Sequence, residues 1–211
     1  MKKSFALIAG ALLFTLTLSA TDYSKFETYL GYNFVRFNPN SEYVPSFDAH
    51  GGSGQFVYNF SKWVGVAADL GAVNRGTLGG GFVDATVIDF VAGPRVTWHN
   101  HSRFQPFVQA LFGGAYSTAS ARLSAFPADV PPILEDFLPN TPVTVRVASS
   151  RTGFAMLAGG GLDIRLSKHV MFRPVEADYY LTRMPSLLTG DDSNHNNFRY
   201  SAGFNFTFGA R

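Results

Sequence analysis

Apolar and polar side chains alternate along this chain in short runs, and a period of two is that of a β-strand, whose successive side chains point to opposite faces. The pattern is plainest in FRYSAGFNFTF (198–208), where Phe198, Tyr200, Ala202, Phe204, Phe206 and Phe208 interleave with Arg199, Ser201, Gly203, Asn205 and Thr207. In FETYLGYNFVRF (26–37), Phe26, Leu30, Tyr32 and Phe34 oppose Glu27, Gly31 and Asn33. GSGQFVYNF (52–60) sets Phe56, Tyr58 and Phe60 against Ser53, Gln55 and Asn59. WVGVAADLGAV (63–73), ATVIDFVAGPRVTW (85–98), QPFVQALFGGAYS (105–117), GFAMLAGGGLDIRL (153–166) and VMFRPVEADYYLT (170–182) complete a predicted set of eight strands. Each is about the length that crosses a bilayer at a tilt, roughly 9–11 residues.

The connections run long, short, long, short, long, short, long. The short ones follow Phe60, Trp98 and Leu166; the longest irregular stretch is 118–150, and VNRGTLGGG reads as a loop. An even number of strands joined alternately by long loops and tight turns predicts an all-β fold, an eight-stranded antiparallel up-and-down transmembrane β-barrel. Long loops then lie outside the cell and short turns on the periplasmic side.

Charge decides which face meets which solvent. The polar faces carry Asp69, Asp89, Arg95, Asp163, Arg165 and Arg199, and Glu176 and Asp178 share a face of the seventh strand. Aromatics from eight strands would overfill a small barrel, whereas short residues, glycines and paired charges fit its interior. The apolar set, with Phe198, Tyr200, Phe204, Phe206 and Phe208 in the last strand, is therefore expected to face lipid. A lumen charge must be paired, because an uncompensated buried charge costs several kcal/mol. The expected pairs are Asp89 or Asp163 with Arg95, and Glu176 or Asp178 with Arg165 or Arg199. Arg173 has lipid-facing parity unless Pro174 marks a β-bulge, and the bulge is expected.

Composition sharpens this. Hydrophobic residues make up 46% of the 211 and charged ones 15%, a single-domain length with few solubilising groups. Cys 0 excludes disulfides, thiolate metal sites, a cysteine nucleophile and a lipidated N-terminal cysteine. MKKSFALIAGALLFTLTLSA (1–20) has two lysines, an apolar run and small residues at its end, the make-up of a secretory signal peptide cleaved after Ala20. Residues 21–211 are then the barrel domain. Lys2 and Lys3 account for the formal charge of +2, so the mature chain is neutral and offers no nucleic-acid surface.

YNFSKWVGVAADLG, FVAGPRV, PFVQALFGGA, LAGGGLDIRLSKHVMFRPVEADYYLTR and FRYSAGFNFTF together resemble the successive strands of OmpA-like small outer-membrane β-barrels, over nearly all of residues 25–208. The resemblance implies a location in the outer membrane of a Gram-negative-type bacterium, with outer-membrane lipid and the barrel-assembly machinery as partners. Two features depart from that pattern. No periplasmic peptidoglycan-binding domain is expected, and Gly209, Ala210 and Arg211 follow Phe208 where the family commonly ends on an aromatic residue.

Motifs that carry chemistry are weak. Gly79–Gly81 and Gly159–Gly161 open no predicted helix, so they read as strand bends rather than phosphate loops. His99 and His101 share a turn with no nearby acid, and Asp192, Asn194 and Asn196 lack the glycine and glutamate of a calcium loop. His195 with Ser193 and Asp191 or Asp192 is the one local cluster that a lipid-modifying enzyme would need. No catalytic, metal or cofactor-binding residue is predicted. The expected role is a barrel with a filled polar lumen that carries exposed loops for structure, adhesion or recognition; a narrow ion or small-solute channel is the alternative. A soluble lipocalin-like carrier would need the reverse polarity. Within the 118–150 loop, SARLSAF and VTVRV can extend their strands as a hairpin. Between them PPILEDFLP places Ile133, Leu134, Phe137 and Leu138 at helical spacing. That apolar turn either meets an extracellular partner or folds down on the barrel mouth or the lipid surface.

Overall fold

The computed structural model describes residues 23–38, 46–78, 83–99, 102–125, 143–185 and 192–209. The predicted signal peptide and the apolar segment of Ile133, Leu134, Phe137 and Leu138 lie outside the described residues. Eight strands follow in order: β1 (Phe26–Phe37), β2 (Phe47–Asn59), β3 (Val64–Leu78), β4 (Val83–Thr97), β5 (Phe104–Ala125), β6 (Val143–Arg165), β7 (Val170–Pro185) and β8 (Asp192–Phe208). Each pairs antiparallel with the next, and β1 closes on β8 from Phe26↔Phe208 to Arg36↔Phe198. Closure leaves no strand edge along the barrel wall, the condition for crossing hydrocarbon on β-strands.

The alternation read from the sequence maps directly onto the two faces. In β8, Phe204 is 47% exposed, while its neighbour Asn205 is 0% and Arg199 1%. Phe198, Tyr200, Phe206 and Phe208 are likewise exposed, and Leu30, Phe56, Leu70, Phe90 and Phe112 carry the same apolar face round the wall. Phe60, Trp63, Trp98, Phe104 and Leu166 ring the end with the tight turns, as aromatic girdles do at a membrane interface. No helix among the described residues is long and apolar enough to cross a membrane.

One strand needs an extra residue to keep its charges inside. Phe172 pairs with Ile164 and Val175 with Leu162, so Arg173 and Pro174 together stand opposite Asp163; the β7–β8 register also shifts between Arg173 and Glu176. This bulge lets Met171 and Arg173 face inward below it and Glu176, Asp178 and Tyr180 face inward above it. Proline, which donates no ladder hydrogen bond, is suited to the irregular position.

Two glycines make room for large inward rings. The Tyr29 hydroxyl lies where a Cβ on Gly31 would be, and the Phe107 ring passes 2.8 Å from the Cβ position of Gly161. Gly159–Gly161 thus sit within β6, toward its C-terminal end, with neighbouring backbone closing in on both sides.

The strands run further at their outer ends than the alternation indicates. β2 begins at Phe47, β3 continues through the stretch read as a loop to Leu78, and β8 begins at Asp192. Beyond the bilayer both faces of a strand meet water, so the apolar–polar signal disappears while backbone pairing continues.

The two faces should respond in opposite ways to substitution. Phe204→Arg, on the lipid side, is expected to lower stability by about 2–4 kcal/mol. Ser201→Ala should shift it by less than about 1 kcal/mol, because the buried Ser201 hydroxyl has no hydrogen-bond partner among the described residues. Refolding titrations in detergent or lipid read both; equal effects would mean that the faces are misassigned.

Candidate functional site

The inward residues build two linked charge clusters in the lumen. Nearer the tight turns, Asp163 accepts from both Nε and Nη2 of Arg173, at 2.7 and 3.0 Å, and from Nη2 of Arg95 at 3.1 Å. The two guanidiniums are also held by Phe107, whose ring lies 3.7 Å from the Arg95 Cζ and 4.3 Å from that of Arg173; Tyr29 lies 4.1 Å from the latter. Planar, weakly hydrated guanidiniums stack on aromatic rings in this way, and a lysine would not. The Gln55 side-chain carbonyl accepts from Arg95 at 2.6 Å and from Arg173 at 3.3 Å.

Glu27 lies below this cluster, 3.8 Å from Arg95, and accepts from Asn59 at 2.7 Å and Asn205 at 2.8 Å. His99 stands between Glu27, at 3.4 Å, and the Lys62 carbonyl, at 2.7 Å. The imidazole therefore ties a turn to the lumen. Among the described residues, no group of three His, Cys, Asp or Glu is placed to hold a metal ion.

The second cluster surrounds Arg199. It donates to Asp69 at 2.8 Å and to Asp178 at 3.2 and 3.3 Å, and lies 3.7 Å from Asp89 and 3.6 Å from Glu176. Glu176 joins the clusters, since its other oxygen accepts from Arg173 at 2.6 Å. Its first oxygen also accepts from the Gln109 amide at 2.8 Å. Six carboxyl groups (Glu27, Asp69, Asp89, Asp163, Glu176, Asp178) thus meet three guanidiniums, all nearly inaccessible to solvent. Amides of Gln55, Gln109, Asn59 and Asn205 supply hydrogen bonds for the acid surplus.

Toward the outer end the lumen turns apolar. Val35, Phe37, Ala49, Val73, Val87, Leu157 and Tyr180 pack together, with Phe37 stacked on Phe47 at 5.1 Å and edge-on to Tyr180 at 6.2 Å. Side chains fill the barrel from charge network to apolar layer, as eight strands require.

Of the residues singled out in the sequence, Asp69, Asp89, Arg95, Asp163, Glu176, Asp178 and Arg199 converge in the lumen. Arg165 does not. Its parity is inward, but it closes β6 at the last ladder pair, Arg165↔Met171, and its side chain emerges exposed at the periplasmic mouth. Asp89 is also not the partner of Arg95; it faces Arg199 across the barrel, and Asp163 takes the Arg95 position. His195, Ser193 and Asp192 lie on paired strand, opposite Thr182, Met184 and Pro185; Asp191 is outside the described residues. The alternation set Gln55, Asn59 and Asn205 on polar faces without showing that they bond the acids, and sequence reasoning missed the inward rings of Tyr29 and Phe107. Inward parity marks all of them, but only the assembled lumen shows that the rings carry arginines.

The network predicts which losses are coupled. Arg95→Met leaves Asp163 its bond to Arg173 but strips Glu27 of its guanidinium, so a loss of about 3–5 kcal/mol is expected. Adding Glu27→Gln should recover part of it, a coupling of about 0.5–3 kcal/mol, whereas Asp89→Asn should add independently. Arg199→Met, which strands carboxylates on several strands, should cost at least as much as Arg95→Met. Denaturant titrations of the double-mutant cycle decide between Glu27 and Asp89.

The sequence matches the family described as outer membrane protein beta-barrel domain over residues 5–208. No curated protein matches it. Among solved structures, it is similar to Ail, the attachment invasion locus protein of Yersinia pestis, with TM-score 0.55 and 17% identity over 87% of this chain and 99% of that one. Ail in complex with the heparin analogue sucrose octasulfate gives TM-score 0.50 at 17% identity, covering 86% of this chain and 97% of that one. Neisserial surface protein A (NspA) gives TM-score 0.54 at 14% identity, covering 88% and 98%. At such identities the likeness is one of fold. The closed eight-stranded wall, the apolar belt and the family match agree: this chain belongs to the outer membrane β-barrel family and resides in the outer membrane of a Gram-negative bacterium.

Proposed function

We propose that the protein is a non-enzymatic scaffold whose filled barrel holds a long outer hairpin in place for adhesion or recognition at the cell surface. The observation that carries this reading is the length of β5 and β6. Their pairing continues to Ala125↔Val143, while the β6–β7 ladder goes no higher than Phe154↔Arg183. The eleven residues from Val143 to Gly153 therefore extend β6 beyond that ladder, and the four pairs from Arg122↔Arg146 to Ala125↔Val143 also stand beyond the β4–β5 ladder, which ends at Val83↔Ala121. Pairing beyond both flanking ladders adds nothing to crossing the bilayer. The segment between these strand ends carries Ile133, Leu134, Phe137 and Leu138.

The lumen supports the same reading. Interlocked charges under an apolar layer favour a rigid pedestal over a water-filled path. Export through residues 1–20, insertion by the barrel-assembly machinery and a setting in outer-membrane lipid belong to this reading. The name attachment invasion locus protein, borne by a barrel of the same fold, is one instance of such a use of the architecture.

Replacing Ile133, Leu134, Phe137 and Leu138 together by serine tests the proposal. Binding of whole cells to host or neighbouring-cell surfaces should fall while refolded stability stays unchanged. Lost stability with unchanged binding would instead make the segment a lid and end the recognition reading. In planar bilayers the protein should show no steady conductance; a steady current would replace the scaffold with a channel.

A further inference from the structure

The end of the barrel with the tight turns has an unusual charge distribution. Among the described residues there, Lys25, Lys62, Arg103, Arg165 and Lys168 are cationic, and no aspartate or glutamate accompanies them outside the sealed lumen. The three on the β5–β6–β7 side are held together by the backbone. The Arg165 N–H donates to the Arg103 carbonyl at 2.8 Å, placing the two arginines side by side. Thr207 of β8 donates its hydroxyl to the Lys168 carbonyl at 3.2 Å and its N–H to the His169 carbonyl at 2.9 Å, fixing the third. None of the three side chains forms an ion pair with a described residue.

These cations line a cavity of about 470 Å³, which also includes Leu166 and Ile164. Both apolar residues belong to the outward, lipid-facing parity; Leu166 is 61% exposed, and Ile164 pairs with Phe104 of the interfacial ring. One depression therefore joins positive charge that has no ion-pair partner among the described residues to the margin of the apolar belt. A soluble anion would use only the first of these features. An amphipathic anion uses both, with its phosphate against the guanidiniums, which suit phosphate oxygens through paired N–H donors, and its chains along Leu166.

We propose that the periplasmic mouth binds an anionic phospholipid of the inner leaflet, with Arg103, Arg165 and Lys168 holding its phosphate. The ligand is a membrane lipid seated at one position on the rim, and it anchors the tight-turn end of the barrel at headgroup level.

Native mass spectrometry of the full chain in detergent tests this, with phosphatidylglycerol, phosphatidylcholine and inorganic phosphate as probes. The unaltered protein should retain phosphatidylglycerol over phosphatidylcholine, and the preference should weaken as salt is raised. Each cation removed in R103Q, R165Q and K168Q should lower phosphatidylglycerol retention about fivefold. The shift in gel mobility on boiling should stay unchanged, since all three side chains are exposed. K62Q, on a different turn, should leave the preference intact. Should the triple variant fail to fold, the single variants carry the same test. Equal retention of the two lipids by the unaltered protein, or a preference that survives in the folded variants, overturns the proposal. Displacement of phosphatidylglycerol by an equal concentration of inorganic phosphate also overturns it, because the site would then serve a free anion.

Discussion

Backbone hydrogen bonding in a medium without water is the constraint on which this structure rests. Hydrocarbon satisfies no exposed N–H or C=O, so strands cross it only when the ladder from β1 to β8 is closed. Closure at eight strands leaves a bore that side chains fill. The narrow bore in turn dictates what stands inside. Glycines admit the rings of Tyr29 and Phe107, those rings carry Arg95 and Arg173, and the arginines hold the carboxylates of facing strands.

Buried ion pairs are weak sources of net stability compared with well-packed apolar groups, yet breaking one is costly. Their value here lies in register. A slip of one residue in β8 would turn Arg199 and Asn205 into lipid and drive Phe198 and Phe204 into the bore. Arg199 reaches carboxylates on β3, β4 and β7, so its position reports the register of several strands at once. The bulge at Arg173 and Pro174 serves the same end locally, since without it the inward acids above or the inward arginine below would face hydrocarbon.

The two ends of the barrel are built differently. Outward, the pairing of β5 with β6 continues past both flanking ladders to Ala125↔Val143, and Phe37, Phe47 and Tyr180 pack at that end of the lumen. Inward, turns of a few residues bring cations to the lip of the apolar belt. The first is the basis of the proposed recognition role and the second of the proposed phospholipid site. Between them the lumen is filled by the charge network and the apolar layer.

Period-two alternation, turn lengths and the placement of charge were enough to read eight strands, their up-and-down order and the direction of each face. Lipid on one side and a cramped polar bore on the other impose opposite chemistries on neighbouring residues. The bulge was legible too, because Arg173 on lipid-facing parity beside Pro174 is untenable otherwise. Pairing within the lumen was not. Arg199 and Asp69 are 130 residues apart and Arg95 and Asp163 68, so their meeting depends on how closure brings distant strands across the bore. Parity placed Arg165 inward correctly, but where the ladder stops decides whether inward means lumen or open mouth. The outer strand ends were hidden for a related reason: above the lipid both faces are wet, and only backbone pairing, which leaves no mark on side-chain polarity, continues the strand.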